Sequence, residues 1–416
     1  MTQDLPRIDP SGVDITASTF KADPFPFYAQ LRQTAPVAQV NAGKRMGSAW
    51  ILTRYDDVTA LLRDDRFAKN PADAMTRAQY RRAPKIPGGP FKPLQTGLLS
   101  VDPPDHTRLR RLVSSAFTPR MIEELREDVQ VLADQLLDAA LRKDTIDLIA
   151  DYATPLPLIV IGRMLGVPES DATRFHRWWQ TFVTAGDGGS SALRVVPTLL
   201  RMLRFMRRLV KERTRSPKDD LVSALAVAHQ DGDRLSEDEV VAMIFLLLSA
   251  GHETTVNLLG SGTLALLQHP EQLALLRDDP SVGTTAVEEL LRFVAPVETA
   301  TERYALGDVT LHDVTIPRGE LVLGVIASAN RDPAHFTDPD TLDLRRSPNP
   351  HLAFGKGIHY CVGAPLARME GAIGLQTLLR RAPEIRLAVP PEQLRWRSSF
   401  LVRGLESLPV TLAGGR

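Results

Sequence analysis

Four groups of residues in this 416-residue chain have types and spacings that could do chemistry. The first surrounds its one cysteine, in Phe354-Gly355-Lys356-Gly357-Ile358-His359-Tyr360-Cys361-Val362-Gly363, which runs into Ala364-Pro365-Leu366-Ala367-Arg368. The glycines allow a tight loop whose backbone N–H groups can turn towards the sulfur, and Pro365 suits the first turn of a helix. Cys361 then stands where a helix N-terminus favours a thiolate; without that context a lone buried thiol reads as an inert small hydrophobe. The second group is Ala250-Gly251-His252-Glu253-Thr254-Thr255. Gly251 removes a side chain where something could approach the backbone, and Thr254 can bond back to the carbonyl of Ala250 and loosen the helix. Glu253 is a carboxylate in an otherwise apolar stretch; the plainer reading points it to solvent and lets the threonines pack. The third, Glu289-Leu290-Leu291-Arg292, is an i,i+3 ion pair on one helix face, alone worth at most ~0.5 kcal/mol. In the fourth, His106 and Arg110 are four apart and project from one face of a helix, although runs of scattered charge usually decorate a surface.

The elements that must position these groups can be read from periodicity. Residues 37–40 and 48–53 flank Asn41-Ala42-Gly43-Lys44 and predict a β-hairpin, followed by a short helix over 55–63. Residues 69–104, rich in Pro, Gly and Arg, predict a long surface loop with a helical turn, of the kind that serves as a lid or binding loop. Helical patterns dominate 106–238, including 121–141 and 193–213. Ser236 with Glu239 is a capping-box signature, and the pattern continues to about Gln268 before His269-Pro270 ends it. Some 30 residues at 1.5 Å each make a rod of roughly 45–50 Å, apolar nearly all round and therefore central. A helix near 287–293, a β-rich segment over 309–325 with a Pro317-Arg318-Gly319 turn, a loop-rich tract over 332–363, a last helix from Ala364 and short closing strands complete the chain. The fold class is mostly α with a small β region, built around the long central helix.

Basic and acidic residues balance, 50 against 50, in a chain that is 43% hydrophobic and 24% charged. That leaves no global basic field for nucleic acid. No linker divides the sequence, so residues 1–416 read as one domain. One cysteine makes no internal disulfide, and the N-terminus lacks the basic start and apolar stretch of a secretory signal, which makes the cytoplasm the default address. The longest apolar run, over 240–251, is short of the ~20 residues that span a membrane, so no membrane partner is expected.

The pattern Phe-Gly-x-Gly-x-His-x-Cys-x-Gly, met at every fixed position by residues 354–363, resembles the haem-ligand signature of the cytochromes P450. The resemblance implies that the Cys361 thiolate is the metal ligand to the iron of a haem b and donates electron density that favours O–O cleavage. Ala250 to Thr255 resembles the family's oxygen-activating segment, implying that Glu253 and Thr254 handle protons beside the haem. Glu289 and Arg292 are similar to the family's buried structural pair, completed by Arg346 or else Arg345, which holds the cysteine loop. The segment around His106 and Arg110 resembles the propionate-binding helix, and His359 and Arg303 match two further propionate positions. The resemblance runs over essentially the whole chain, in the family's order.

It implies a soluble, bacterial-type monooxygenase that inserts one oxygen atom from O2 into a small apolar organic substrate, by hydroxylation or epoxidation. Nothing after Gly363 resembles a flavin or iron–sulfur domain, so a separate ferredoxin or flavodoxin with its reductase must supply electrons. Arg108 and Arg111, joined by Lys356, are the expected docking charges. Substrate recognition falls on 69–99, 171–209, the upstream half of the long helix including Ile244 and Leu248, 294–300 and the turn at Phe400-Leu401. Trp178, Trp179, Phe182, Val297 and Phe400 are the expected wall residues, and macrolide, terpenoid, steroid and fatty-acid scaffolds all remain open. Competing readings are a peroxide-driven peroxygenase, a haem protein that senses or stores a ligand, and a cysteine hydrolase using Cys361 and His359.

Overall fold

A computed structural model of the chain describes residues 9–83, 89–186, 192–230 and 233–412. The elements that position the site are, in chain order, β1 (Val37–Asn41), β2 (Ser48–Leu52), β3 (Phe67–Ala68), α1 (Asp105–Ala116), α2 (Arg126–Ala140), β4 (Thr145–Asp147), α3 (Pro155–Met164), α4 (Glu169–Gly186), α5 (Ala192–Arg215), α6 (Glu237–Gln268), α7 (Gly283–Val294), β5 (Arg303–Ala305), β6 (Val309–Leu311), β7 (Val314–Ile316), β8 (Leu321–Gly324), α8 (Ala364–Arg381), β9 (Arg386–Leu387) and β10 (Pro409–Thr411).

The long helix α6 organises the rest. Ser236 and Glu239 form the reciprocal capping box at its start, and Pro270 opens the next helix just after its end. From Thr255 to Leu266 every residue is buried, because α3, α7 and α8 pack around it. Gly251 makes one of these approaches possible: a Cβ there would lie 2.7 Å from Ile161 Cδ1, so the missing side chain admits a residue of α3. An 18-residue stretch of this 32-residue helix has a mean hydropathy of 1.3, so α6 is long and apolar enough to cross a membrane, yet 56% of that stretch is buried inside the protein. The run 240–251 is therefore only part of a longer apolar helix, as a core helix requires.

The β region is a five-stranded sheet in the order β1-β2-β8-β5-β3. β1 and β2 pair antiparallel, Val37 opposite Leu52 and Asn41 opposite Ser48, and a helical turn, Gly43–Met46, fills their connection. β8 lies parallel to β2 and antiparallel to β5. β6 and β7 form a separate hairpin whose turn is His312-Asp313, at φ of 47° and 64°, the left-handed pair that a tight hairpin demands. Pro317 to Gly319 makes the turn read from the sequence, between β7 and β8: Glu320 N donates to Pro317 O at 3.3 Å, with Gly319 at φ +80°. One expectation changes, as 121–141 splits into Pro119–Glu124 and α2; the 69–104 tract holds more helix than the one turn expected, at Pro71–Ala74, Arg77–Arg82 and Gly89–Leu94.

Glu289 and Arg292, on α7, are wholly buried. Arg292 Nε and Nη2 each donate to one carboxylate oxygen at 2.7 Å, the bidentate geometry that suits guanidinium. Arg346 Nε bonds both oxygens at 3.1 Å, while Asp343 N and Asn349 Nδ2 add bonds at 3.0 and 3.1 Å. Arg292 also donates to the carbonyls of Asn330, Pro339 and Thr341. Arg346 is thus the third member; Arg345 turns outward to Asp279 at 3.2 Å. Two consecutive backbone stretches before the cysteine loop hang on this carboxylate. Replacing Arg292 by Met takes the bidentate partner from the buried Glu289 charge, leaving Arg346 alone against it, and is expected to cost about 3–5 kcal/mol, read as a lower denaturation midpoint together with reduced occupancy by the haem that the sequence implies; full occupancy at an unchanged midpoint would contradict this role.

Candidate active site

The cysteine loop is closed by a hydrogen bond from Cys361 N to Phe354 O at 2.9 Å. Gly357, at φ +72°, could not be another residue: a Cβ would sit 2.7 Å from the carbonyl oxygen of Leu62. α8 starts three residues after the cysteine, and the N–H groups of Gly363 and Ala364 point at the sulfur. Burial pushes the Cys361 thiol up, and those N–H groups with Arg110 and Arg368 only partly offset it. Cys361 thus stands at the start of α8, where the sequence placed it, with burial opposing the pull of the helix terminus. Arg368 lies over the Phe354 ring at 4.4 Å and is held by Glu288 through bonds of 2.6 and 2.8 Å, which keeps the loop's outer side fixed.

Beside the sulfur lies a pocket of basic groups. The rings of His106, from α1, and His359 approach to 4.2 Å between centroids. Both ring nitrogens of His106, and Nδ1 of His359, are buried without a hydrogen-bond partner. Arg110, one turn from His106, is close enough to Cys361 to act on it electrostatically. Arg303, 4% exposed, and Lys69, 6% exposed, complete the cluster. Burial, then repulsion from Arg303, Lys69, His106 and Arg110, drives His359 down to about 2. Burial and Arg303 likewise pull Lys69 to about 7, and burial lowers Arg303 to about 10. The Asp102 carboxylate nearby is engaged by the backbone N–H groups of Lys69 and Asn70. So many basic groups, mutually repelling and with orphaned ring nitrogens, fit an anion with several carboxylate oxygens. Two haem propionates meet that description, and the N–H-lined sulfur alongside fits the haem iron.

The sequence therefore pointed to four of these groups and missed Lys69. Its Nζ donates to Thr301 Oγ1 at 2.6 Å and to Glu302 O at 2.8 Å. Those partners lie more than 230 positions away, and a lysine after a short apolar strand carries no sign of them.

On α6, Thr254 Oγ1 donates to Ala250 O at 2.8 Å, the back-bond read from the sequence. Glu253 Oε1 stands 3.8 Å from Arg397 Nη1. Thr255 bonds Gly251 O at 3.2 Å and also meets Glu370 of α8, whose burial raises its carboxyl to about 8. Ile244 and Leu248 are 1% and 0% exposed and packed in the core, so they are not walls. The partly open face of α6 carries Leu246, Ala250 and Thr254, at i, i+4 and i+8. Trp178 meets Phe205 edge-on at 6.1 Å, while the side chains of Trp179 and Phe182 lie outside the described residues. Val297 bridges to Val402, and the Phe400 carbonyl accepts from Thr299 Oγ1 at 2.8 Å. Arg108 is not an open docking charge: Glu239 and Asp233 both pair with it and turn it towards the start of α6. Arg111 remains exposed.

Comparison with known proteins agrees with this geometry. The family description Cytochrome P450 matches residues 283–392. The chain is 43% identical over 397 residues to the polyketide biosynthesis cytochrome P450 PksS of Bacillus subtilis (strain 168), covering 95% of this chain and 97% of that protein. It is 43% identical over 387 residues to the mycinamicin IV hydroxylase/epoxidase of Micromonospora griseorubida, covering 92% and 94%. The solved structure of the ligand-free P450 monooxygenase TamI superposes with a TM-score of 0.87 at 42% identity, over 97% of this chain and 95% of that one. The chain belongs to the cytochrome P450 family. It is a monooxygenase, an oxidoreductase that works with a haem iron and incorporates oxygen into an organic substrate.

If Lys69 is part of the anion pocket, Lys69→Met removes a charged hydrogen bond worth about 1.5–3 kcal/mol. Haem transfer from the variant to excess apomyoglobin is expected to run about tenfold faster or more; an unchanged transfer rate would restrict Lys69 to fastening Thr301 and Glu302.

Proposed function

We propose that Cys361 is the iron ligand of a haem b, that His106, Arg110, Arg303 and His359 hold its propionates with Lys69, and that Glu253 and Thr254 serve proton delivery. The observation that carries this reading is the adjacency of a sulfur lined by N–H groups to orphaned ring nitrogens in a cluster of buried cations. When bound, the haem supplies the dioxygen chemistry. The protein's part is to hold the sulfur dry, to neutralise the propionates, and to bring protons to the open face of α6. Thr254 can exchange its bond to the Ala250 carbonyl for one to a small polar guest, since a hydroxyl rotates to suit its partner.

The substrate class follows from the relatives. One is named for polyketide biosynthesis and another for oxidising mycinamicin IV, which supports a polyketide-type substrate hydroxylated or epoxidised here. Electrons come from a ferredoxin or flavodoxin with its reductase, docking on the cysteine side, where Arg111 and Lys356 add positive charge. The protein acts as one domain, soluble in the cytoplasm. Thr254→Ala should leave haem and substrate binding nearly intact but lower the product formed per electron consumed several-fold, with the difference appearing as hydrogen peroxide. Wild-type coupling in the variant would show the hydroxyl to be dispensable, and electron consumption without product in the wild type would favour a ligand-sensing role.

A further inference from the structure

Two charged side chains of opposite sign flank the one bridge that joins the segments carrying Val297 and Phe400. Val297 pairs with Val402 across an isolated antiparallel bridge that lies outside any strand. In a ladder, repeated N–H to carbonyl bonds hold two chains at a fixed spacing. Here the N–H groups of Glu298 and Thr299 share one acceptor, the Leu401 carbonyl, at 2.9 and 3.2 Å, and Arg403 N reaches Pro296 O at 3.1 Å. Successive side chains of extended backbone point to opposite sides. Val297 and Phe400 are partly exposed, whereas Glu298 is fully buried and Arg403 is 6% exposed.

Glu298 and Arg403 meet on one residue near the start of the chain. The Lys21 ammonium donates to Glu298 Oε2 at 2.7 Å, with both side chains wholly buried. Arg403 Nε donates to the carbonyl of the same Lys21 at 2.8 Å, and Nη2 to that of Ala22 at 3.1 Å. Tyr28 OH donates to the other carboxylate oxygen, Oε1, at 2.6 Å. Burial and then Glu298 raise that hydroxyl well above its ordinary value, so it stays a donor. Lys21 lies in the helical turn Ser18–Ala22 and Tyr28 in the helix Phe25–Thr34, joined by the edge-on contact of Phe20 with Tyr28 at 5.6 Å. Phe400 packs against the apolar cluster that contains Tyr28. A buried ion pair is weak evidence for stability, and its best-attested use is to fix one arrangement among several.

We propose that Lys21, gripping Glu298 with its ammonium and Arg403 with its carbonyl, sets the spacing of the two segments that carry Val297 and Phe400, and so decides how bulky a ligand fits beside the haem. Lys21 is a positioning residue: it acts through these two side chains and touches no ligand itself. The proposal rests on the reading of Val297 and Phe400 as walls of the substrate site. A small ligand of the iron needs no wall, whereas a bulky one must fit between walls.

The test is titration of the haem-loaded protein with imidazole and with phenylimidazole, each followed by the haem spectrum. Both bind through a ring nitrogen, and only the second carries a group wide enough to meet the walls. Lys21→Met should lower the denaturation midpoint, because it leaves the Glu298 charge buried without its cation. Adding Glu298→Gln removes both charges of the pair together and should bring the midpoint back towards the wild type. The double variant should nevertheless bind phenylimidazole several-fold more weakly, with imidazole unchanged. Tyr28→Phe keeps the ion pair and should shift phenylimidazole in the same direction by less. Equal weakening of both azoles would place the effect at the haem, and wild-type affinity for both would leave Lys21 merely fastening the N-terminal helices; either result overturns the proposal. Val297→Phe should weaken phenylimidazole by itself. If it does so while the double variant binds as the wild type does, the walls stand and Lys21 does not set them. If Val297→Phe changes neither azole, the wall reading fails and the proposal fails with it.

Discussion

A single buried carboxylate, Glu289, holds together the part of the protein on which its chemistry depends. Arg292, Arg346, the Asp343 amide and Asn349 all bond to it, and through Arg292 it also fixes the carbonyls of residues 330, 339 and 341. A charge so buried persists only with its partners in place. The partners come from the irregular tract that leads to Cys361, which has no sheet or helix of its own to fix its path. Glu289 supplies that path from α7, and α7 is held against α6 and α8 by the apolar core.

The second constraint is electrostatic. His106, His359, Lys69, Arg110 and Arg303 crowd into one buried pocket although each disfavours the charge of the others. A fold tolerates such repulsion when a ligand of opposite sign relieves it, and in the proposed reading that ligand is the haem, through its propionates. Burial holds the Cys361 thiol up as well, and in the proposed reading a bound iron reverses this.

Much of this was legible in the sequence because it is local. The capping box at Ser236, the stop at His269-Pro270, the back-bond of Thr254 and the glycines around Cys361 each depend on neighbours within a few positions. What depended on distant partners was not. Lys69 reaches Thr301, Arg108 is taken up by Glu239 and Asp233, and Gly251 serves Ile161. Ile244 and Leu248 were misread because an all-apolar helix gives no sign of which side is covered; only the packing of neighbouring helices shows that Leu246, Ala250 and Thr254 stay open. The Pro317-Arg318-Gly319 turn was legible for the same local reason as the caps, whereas the β6–β7 turn was not, since His312 and Asp313 are not the Asn-Gly type that marks such turns.

The account stands or falls on the sulfur of Cys361 as the ligand of a haem iron. Absorption of the purified protein after reduction and exposure to carbon monoxide tests this most directly, because the band position reports the atom opposite the bound gas. The structure predicts the long-wavelength band of a thiolate-ligated haem, lost in Cys361→Ser. A band at the position given by an imidazole ligand, or a thiolate-type band that survives in Cys361→Ser, would contradict it.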